Sequence, residues 1–146
     1  MPLLRIYALT TIVLALKMSA NSLVQAFARI PNKAFVNPED ARMFGGGAAP
    51  LAEELPMVKR AANAWRNDLE NIPIFLFLAF IYAIVGLPTN AFIIYCALFT
   101  LARILHTIFY LRAMQPGRTI AYFVGSLVTL ALMIHLFVGF VIVGGD

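Results

Sequence analysis

Between Asn90 and Leu111 the chain reads NAFIIYCALFTLARILHTIFYL, and the reading of this stretch decides the fold. A helix rises about 1.5 Å per residue and the hydrocarbon layer of a bilayer is about 30 Å thick, so the run is long enough to cross it. Arg103 is its only Lys, Arg, Asp or Glu. Gly86-Leu87-Pro88-Thr89 precedes it and Gln115-Pro116-Gly117 follows, both of them helix breakers. Beyond each breaker lies another apolar run. One covers roughly Arg66 to Gly86, with Ile72 to Val85 in lipid and a kink expected at Pro73. The other covers Thr119 to Val143. The short connections imply antiparallel hairpins. A fourth run, Ile6 to Ala28, follows Arg5 as the core of a signal peptide would. Lys17 interrupts it and no small-residue cleavage site follows, so it reads as the first span.

Composition agrees with four spans. Of 146 residues, 62% are hydrophobic and 12% charged, and the mean hydropathy is +0.86. A soluble domain carries about 25% charged and about 45–50% apolar residues. The expected fold is therefore an all-α integral membrane protein, one membrane domain over residues 1–146 with four transmembrane helices at about 6–28, 66–86, 90–111 and 119–143. Net charge is +4 and the pI about 9.6, but the basic residues are scattered and the aromatics sit inside apolar runs, which argues against nucleic acid. A single cysteine excludes an intrachain disulfide, and two histidines without a CxxC or HExxH pattern leave no metal site. Cys96 reads as a small inert hydrophobe, and His135 as a packing or interhelical hydrogen-bonding group.

Most charged side chains fall between Arg29 and Glu70. The loop 29–65 carries Arg29, Lys33, Arg42, Lys59 and Arg60, and the loop 112–118 adds Arg112 and Arg118, whereas the other side has only Arg5. Both loops are therefore expected in the cytoplasm and both termini on the opposite face. Within the first loop, Asn37-Pro38-Glu39-Asp40 supplies a cap, a proline at the first helical position and acids in the first turn, so a short helix should begin there. Gly45-Gly46-Gly47 lacks the GK[ST] ending of a phosphate loop and reads as a turn.

An ionisable group in the apolar layer costs about 2.5–3.5 kcal/mol on insertion scales, so each needs a partner, a wet cavity or a route to the interface. Arg66, Asn67 and Glu70 lie on one side of the second span, with Arg66 and Glu70 one turn apart, as an interfacial ion pair or as ligand groups. Arg103, His106 and Tyr110 form a stripe on the third span. Snorkelling and an aromatic belt account for Arg103 and Tyr110 singly, but less well for three aligned groups. Arg118, Thr119 and Tyr122 open the fourth span, where unpaired backbone N–H groups favour an anion. By orientation all three clusters meet at the cytoplasmic face, in a cavity suited to a small ligand with carboxylates and a cation. Lys17, Asn21 and Gln25 make a polar seam on the first span that reads best as helix packing.

Lys33-Ala-Phe-Val-Asn-Pro-Glu-Asp40, Trp65-Arg-Asn-Asp-Leu-Glu-Asn71 and Arg103-Ile-Leu-His-Thr-Ile-Phe-Tyr110 resemble the membrane-associated proteins in eicosanoid and glutathione metabolism. The resemblance covers nearly the whole chain and lies in the branch of microsomal glutathione transferases and prostaglandin E synthases. It implies a homotrimer with glutathione in a cytoplasm-facing cavity between subunits. It also implies that Arg29, Arg66, Asn67, Glu70, Arg103, His106, Tyr110, Arg118, Thr119 and Tyr122 bind glutathione or act on its thiol. Glu70 would meet the ammonium, the arginines and His106 the carboxylates, and Tyr110 the peptide. Arg118 would lie near the sulfur, with Thr119 donating a hydrogen bond to it.

Thr119 replaces the serine of the prostaglandin synthase, Trp65 stands where both enzymes usually have histidine, and the cytoplasmic sensor cysteine of the transferase is absent. The implied activity is conjugation of glutathione to lipophilic electrophiles drawn from membrane lipid, together with reduction of lipid hydroperoxides. One alternative is endoperoxide isomerisation of the prostaglandin E synthase kind, with Asp40 or Thr119 assisting proton movement. Another is a non-catalytic lipid-binding scaffold. A small multidrug exporter would need a membrane-embedded glutamate in the first span, and that span has Lys17 and no acid.

Overall fold

The computed structural model describes residues 2–142. Its helices in chain order are α1 (Pro2–Asn32), α2 (Pro38–Phe44), α3 (Pro56–Val85), α4 (Thr89–Leu111) and α5 (Gly117–Leu136), the last continued by a π-helical stretch over Phe137–Ile142. Among the described residues there is no strand, and four helices are long and apolar enough to cross a membrane. The expected span to Val143 ends outside the described residues. α1 lies mainly on α3, and α4 mainly on α5.

Three expected boundaries are corrected. The second span begins at Pro56, not Arg66. Its added turns carry Val58, Ala61 and Ala64, buried on the face that continues into Asp68, Ile72 and Phe75. Asn21 of α1 donates to the Ala61 carbonyl at 3.1 Å, which ties these turns to the bundle. α1 likewise runs past Ala28 to Asn32, so the loop expected over 29–65 shrinks to residues 33–55. α5 starts at Gly117 rather than Thr119. Pro73 lies inside α3 without ending it.

Helix ends account for the tight connections. α1 and α4 each close with a pair of bonds across a left-handed residue. At α1 these are Lys33 N–H to Ile30 O and Ala34 N–H to Arg29 O, both 3.1 Å, with Lys33 at φ 48°. At α4 they are Ala113 N–H to Tyr110 O at 3.1 Å and Met114 N–H to Phe109 O at 2.8 Å, with Ala113 at φ 56°. α3 ends on Gly86 at φ 79°, a conformation cheap only for glycine, and the chain reverses at once into α4.

Lipid tails are as apolar as leucine, so helices in a bilayer associate through close packing and hydrogen bonds rather than by escaping water. The contact faces accordingly carry Ala61, Ala64, Ala79, Ala83, Ala102, Ala121 and Gly125. Phe75 and Phe99 stack with centroids 3.8 Å apart and planes within 4°. At the end of the bundle near the Gly86 turn, Tyr82 donates to the Pro88 carbonyl at 3.0 Å, and Tyr95 hydrogen-bonds His135 Nδ1 at 3.1 Å, the interhelical role expected for that histidine. Cys96 is buried among apolar neighbours. Phe27, Phe77, Ile84 and Leu127 project outward as lipid-facing residues do.

The loop is structured. Asn37 stands at the cap of α2 with Pro38 behind it, but its side-chain nitrogen bonds Asp40 Oδ2 at 3.1 Å instead of its carbonyl oxygen capping a backbone N–H. Arg29 grips Glu54 through Nε (3.2 Å) and Nη2 (2.7 Å). The Lys59 ammonium hydrogen-bonds Glu53 and holds its carboxyl below the usual range.

Candidate functional site

One stripe of α4 changes character along its length. Phe92, Cys96 and Phe99 are core, Arg103 and His106 continue the same buried stripe, and Tyr110 ends it. The polar end meets α3 through Asn67 and α5 through Arg118, Thr119 and Tyr122. These three, with Asn67, His106 and Tyr110, line an open cavity of about 210 Å³. Six expected site residues are thus brought together from three helices. The His106 ring lies 5.6 Å from Tyr110 and 6.4 Å from Tyr122, and its buried Nδ1 has no partner among the described residues.

Arg118 and Thr119 sit in the first turn of α5. The Arg118 guanidinium carbon is 4.6 Å from the Tyr110 ring centroid, within cation–π range. The Gln115 amide is assigned with its oxygen toward Arg118, accepting from Nε at 3.2 Å and Nη2 at 2.7 Å, while its nitrogen donates to Thr119 Oγ1 at 3.0 Å. The opposite orientation would set its donors against donors.

Arg103 is placed differently from a snorkelling or wall-lining arginine. It is 0% exposed, donating to Asn67 Oδ1 at 3.1 Å and to the Tyr122 carbonyl at 3.2 Å. It lies behind the cavity and fixes two residues of its wall. Space for it is made by Gly125, where an added Cβ would fall 2.2 Å from Nη2. Gly125→Ala should therefore cost about 1–3 kcal/mol, because a hydrogen-bonded, enclosed guanidinium has no room to yield. Thermal unfolding in detergent checks this, and an unchanged midpoint would show that Arg103 can move aside.

Arg66 and Glu70 are exposed on the bundle's outer surface, and no ion pair joins them among the described residues, so of the two alternatives the interfacial pair is not formed. Asn67 turns inward while Arg66 and Glu70 do not. Arg29 and Asp40 line a second cavity of about 180 Å³ with Ala26, Ile30, Phe35 and Phe44. Sequence reasoning did not single out Asp68, which is fully buried and paired with Lys17. Its signal was an acid on the α3 face that packs on the α1 seam. No group of three or more potential metal ligands occurs among the described residues.

A four-span helical bundle with a cationic, phenol-lined cavity at the end of α4 defines the class, and comparison gives it a family. The model of the MAPEG family matches residues 7–138, and the chain belongs to that family. Among its relatives, microsomal glutathione S-transferase 1 of Bos taurus is 42% identical over 130 residues, 87% of this chain and 83% of the relative. The protein of the same name from Homo sapiens is 41% identical over 129 residues, 86% and 83% of the two chains. Prostaglandin E synthase of Homo sapiens is 35% identical over 129 residues, 86% and 82% of the two chains.

Proposed function

We propose that this chain is a membrane-bound glutathione transferase, a single membrane domain that presents glutathione as a thiolate to lipophilic electrophiles and lipid hydroperoxides in the bilayer. The observation that carries the reading is the convergence of Arg118, Thr119, His106, Tyr110, Tyr122 and Asn67 on one cavity. The donor set fits the ligand: hydroxyls, a guanidinium and a histidine with an unsatisfied buried nitrogen suit carboxylates and a sulfur anion. Glutathione supplies the nucleophilic thiol. Arg118, at the positive end of α5, favours its ionised form. Thr119 hydrogen-bonds the sulfur, His106 meets a carboxylate and Tyr110 holds the peptide.

No carboxylate lines the cavity to receive the glutathione ammonium. Glu70 is exposed on the bundle's outer face, where a second copy of the chain would meet it. We therefore place glutathione between subunits of a homotrimer, with Glu70, Arg66, Arg29 and Asp40 completing the site across the interface. The side carrying residues 29–65 and 112–118 then faces the cytoplasm, since it holds Arg29, Lys33, Arg42, Lys59, Arg60, Arg112 and Arg118 against Arg5 alone on the other.

The test is titration of glutathione into purified protein, followed by thiolate ultraviolet absorbance, then turnover of chlorodinitrobenzene. A stoichiometric thiolate signal with turnover supports the transferase. Absence of both would favour a lipid-binding scaffold. The prostaglandin E synthase relatives favour one second reading, endoperoxide isomerisation, which a direct endoperoxide assay separates.

A further inference from the structure

We propose that Gln115 is a positioning residue that orients Arg118 and Thr119 for the reacting thiol, using a neutral amide that holds the guanidinium without cancelling its charge. The inference rests on the transferase reading of the same cavity.

The chain holds its cations in two ways. Arg29, Lys17 and Lys59 are paired with the carboxylates of Glu54, Asp68 and Glu53, which neutralise them in place. Arg118 has no carboxylate partner among the described residues. One edge of its guanidinium, Nε and Nη2, is occupied by the Gln115 oxygen, and its face is covered by the Tyr110 ring. Nη1 is left without a hydrogen-bond partner among the described residues. An arginine side chain otherwise retains large rotamer freedom, and two bonds to one oxygen remove much of it. The amide nitrogen of the same residue donates to Thr119 Oγ1 at 3.0 Å. That leaves the hydroxyl hydrogen free to point at an anion.

Gln115 is itself held from both sides. Met114 N–H closes the end of α4 on Phe109 O at 2.8 Å, and Arg118 N–H bonds Met114 O at 3.2 Å, so the backbone at 115 is fixed between two helices. Gln115 does not line the cavity. Any effect on the thiol must pass through Arg118 and Thr119. A glutamate here would have the same shape, but it would neutralise the guanidinium and offer Thr119 no donor.

The experiment compares Gln115→Glu and Gln115→Met with the wild type by pH titration of bound glutathione thiolate and by kcat and the KM for glutathione in chlorodinitrobenzene turnover. The side chain is exposed, so both variants should fold, and thermal midpoints check this. In Gln115→Glu the added negative charge disfavours the thiolate, so its titration and the alkaline-rising limb of the rate should move up by about one pH unit. In Gln115→Met, kcat should fall about tenfold while KM for glutathione changes by less than about threefold, because orientation at the sulfur is lost and the peptide contacts remain. A purely structural residue would leave the Glu variant with the wild-type pH profile, and that result, or a wild-type kcat in the Met variant, overturns the proposal. Failure of the transferase reading would look different, with no thiolate and no turnover in the wild type itself.

Discussion

Replacing Arg118 with alanine is expected to lower chlorodinitrobenzene turnover near neutral pH by about 10²–10³, the loss typical when a preorganised group facing developing or resident negative charge is removed. The guanidinium is already in position before any ligand arrives, held by the Gln115 amide and the Tyr110 ring at the N-terminal turn of α5. In the proposed site its charge would therefore act on the sulfur without a reorganisation cost. A free cysteine-type thiol titrates at about 8.5, so without this cation most of the bound thiol carries its proton at neutral pH. The sign of the pH dependence follows. The deficit should shrink as pH rises past the unperturbed thiol value, because solvent hydroxide then supplies the thiolate that Arg118 had favoured. The residual defect at high pH measures orientation alone. A variant with full rate and an unchanged pH profile would remove Arg118 from the chemistry and leave it a helix-end charge.

Much of this arrangement was legible in the sequence because lipid allows little choice. A backbone in hydrocarbon must satisfy its own hydrogen bonds, so runs such as Asn90 to Leu111 can only be helices, and the breakers at Gly86-Leu87-Pro88 and Gln115-Pro116-Gly117 fix the hairpins. Helical spacing put His106 with Tyr110 and Arg118 with Tyr122, and the structure brings both pairs into one cavity. The start of α3 was not legible. Between Pro56 and Trp65 the buried face is Val58, Ala61 and Ala64, interleaved with Lys59, Arg60 and Asn63, which hold the window's hydropathy down. The fate of Arg103 depended on a partner in another helix, Asn67, and on the missing side chain at Gly125. Arg66, Asn67 and Glu70 share a stretch of α3, but the roll of the helix against α1 decides which faces inward. On that inward face α3 meets α1 through the Lys17–Asp68 pair and the Asn21–Ala61 bond, contacts between residues far apart in sequence.

That pair should dominate the stability of the bundle. The Lys17 and Asp68 side chains are 8% and 0% exposed, and Asp68 Oδ1 has no further partner among the described residues. The carboxylate therefore depends on the Lys17 ammonium. Lys17→Met is expected to destabilise by about 3–5 kcal/mol, the cost of leaving a buried charge uncompensated rather than the net worth of the pair. Lys17→Met with Asp68→Leu should recover most of that loss, since the pair's own desolvation cost disappears with it. Arg103 remains in the double variant, hydrogen-bonded to Asn67 and the Tyr122 carbonyl, but without the opposing field of Asp68. Recovery should therefore be incomplete, and adding Arg103→Met should not be additive with it. Thermal or denaturant unfolding in detergent micelles, arranged as a double-mutant cycle, gives the coupling directly. If Lys17→Met unfolded at the wild-type midpoint, the Asp68 carboxyl would be taking up a proton or meeting water in the absence of Lys17, and the pair would not dominate the stability of the bundle.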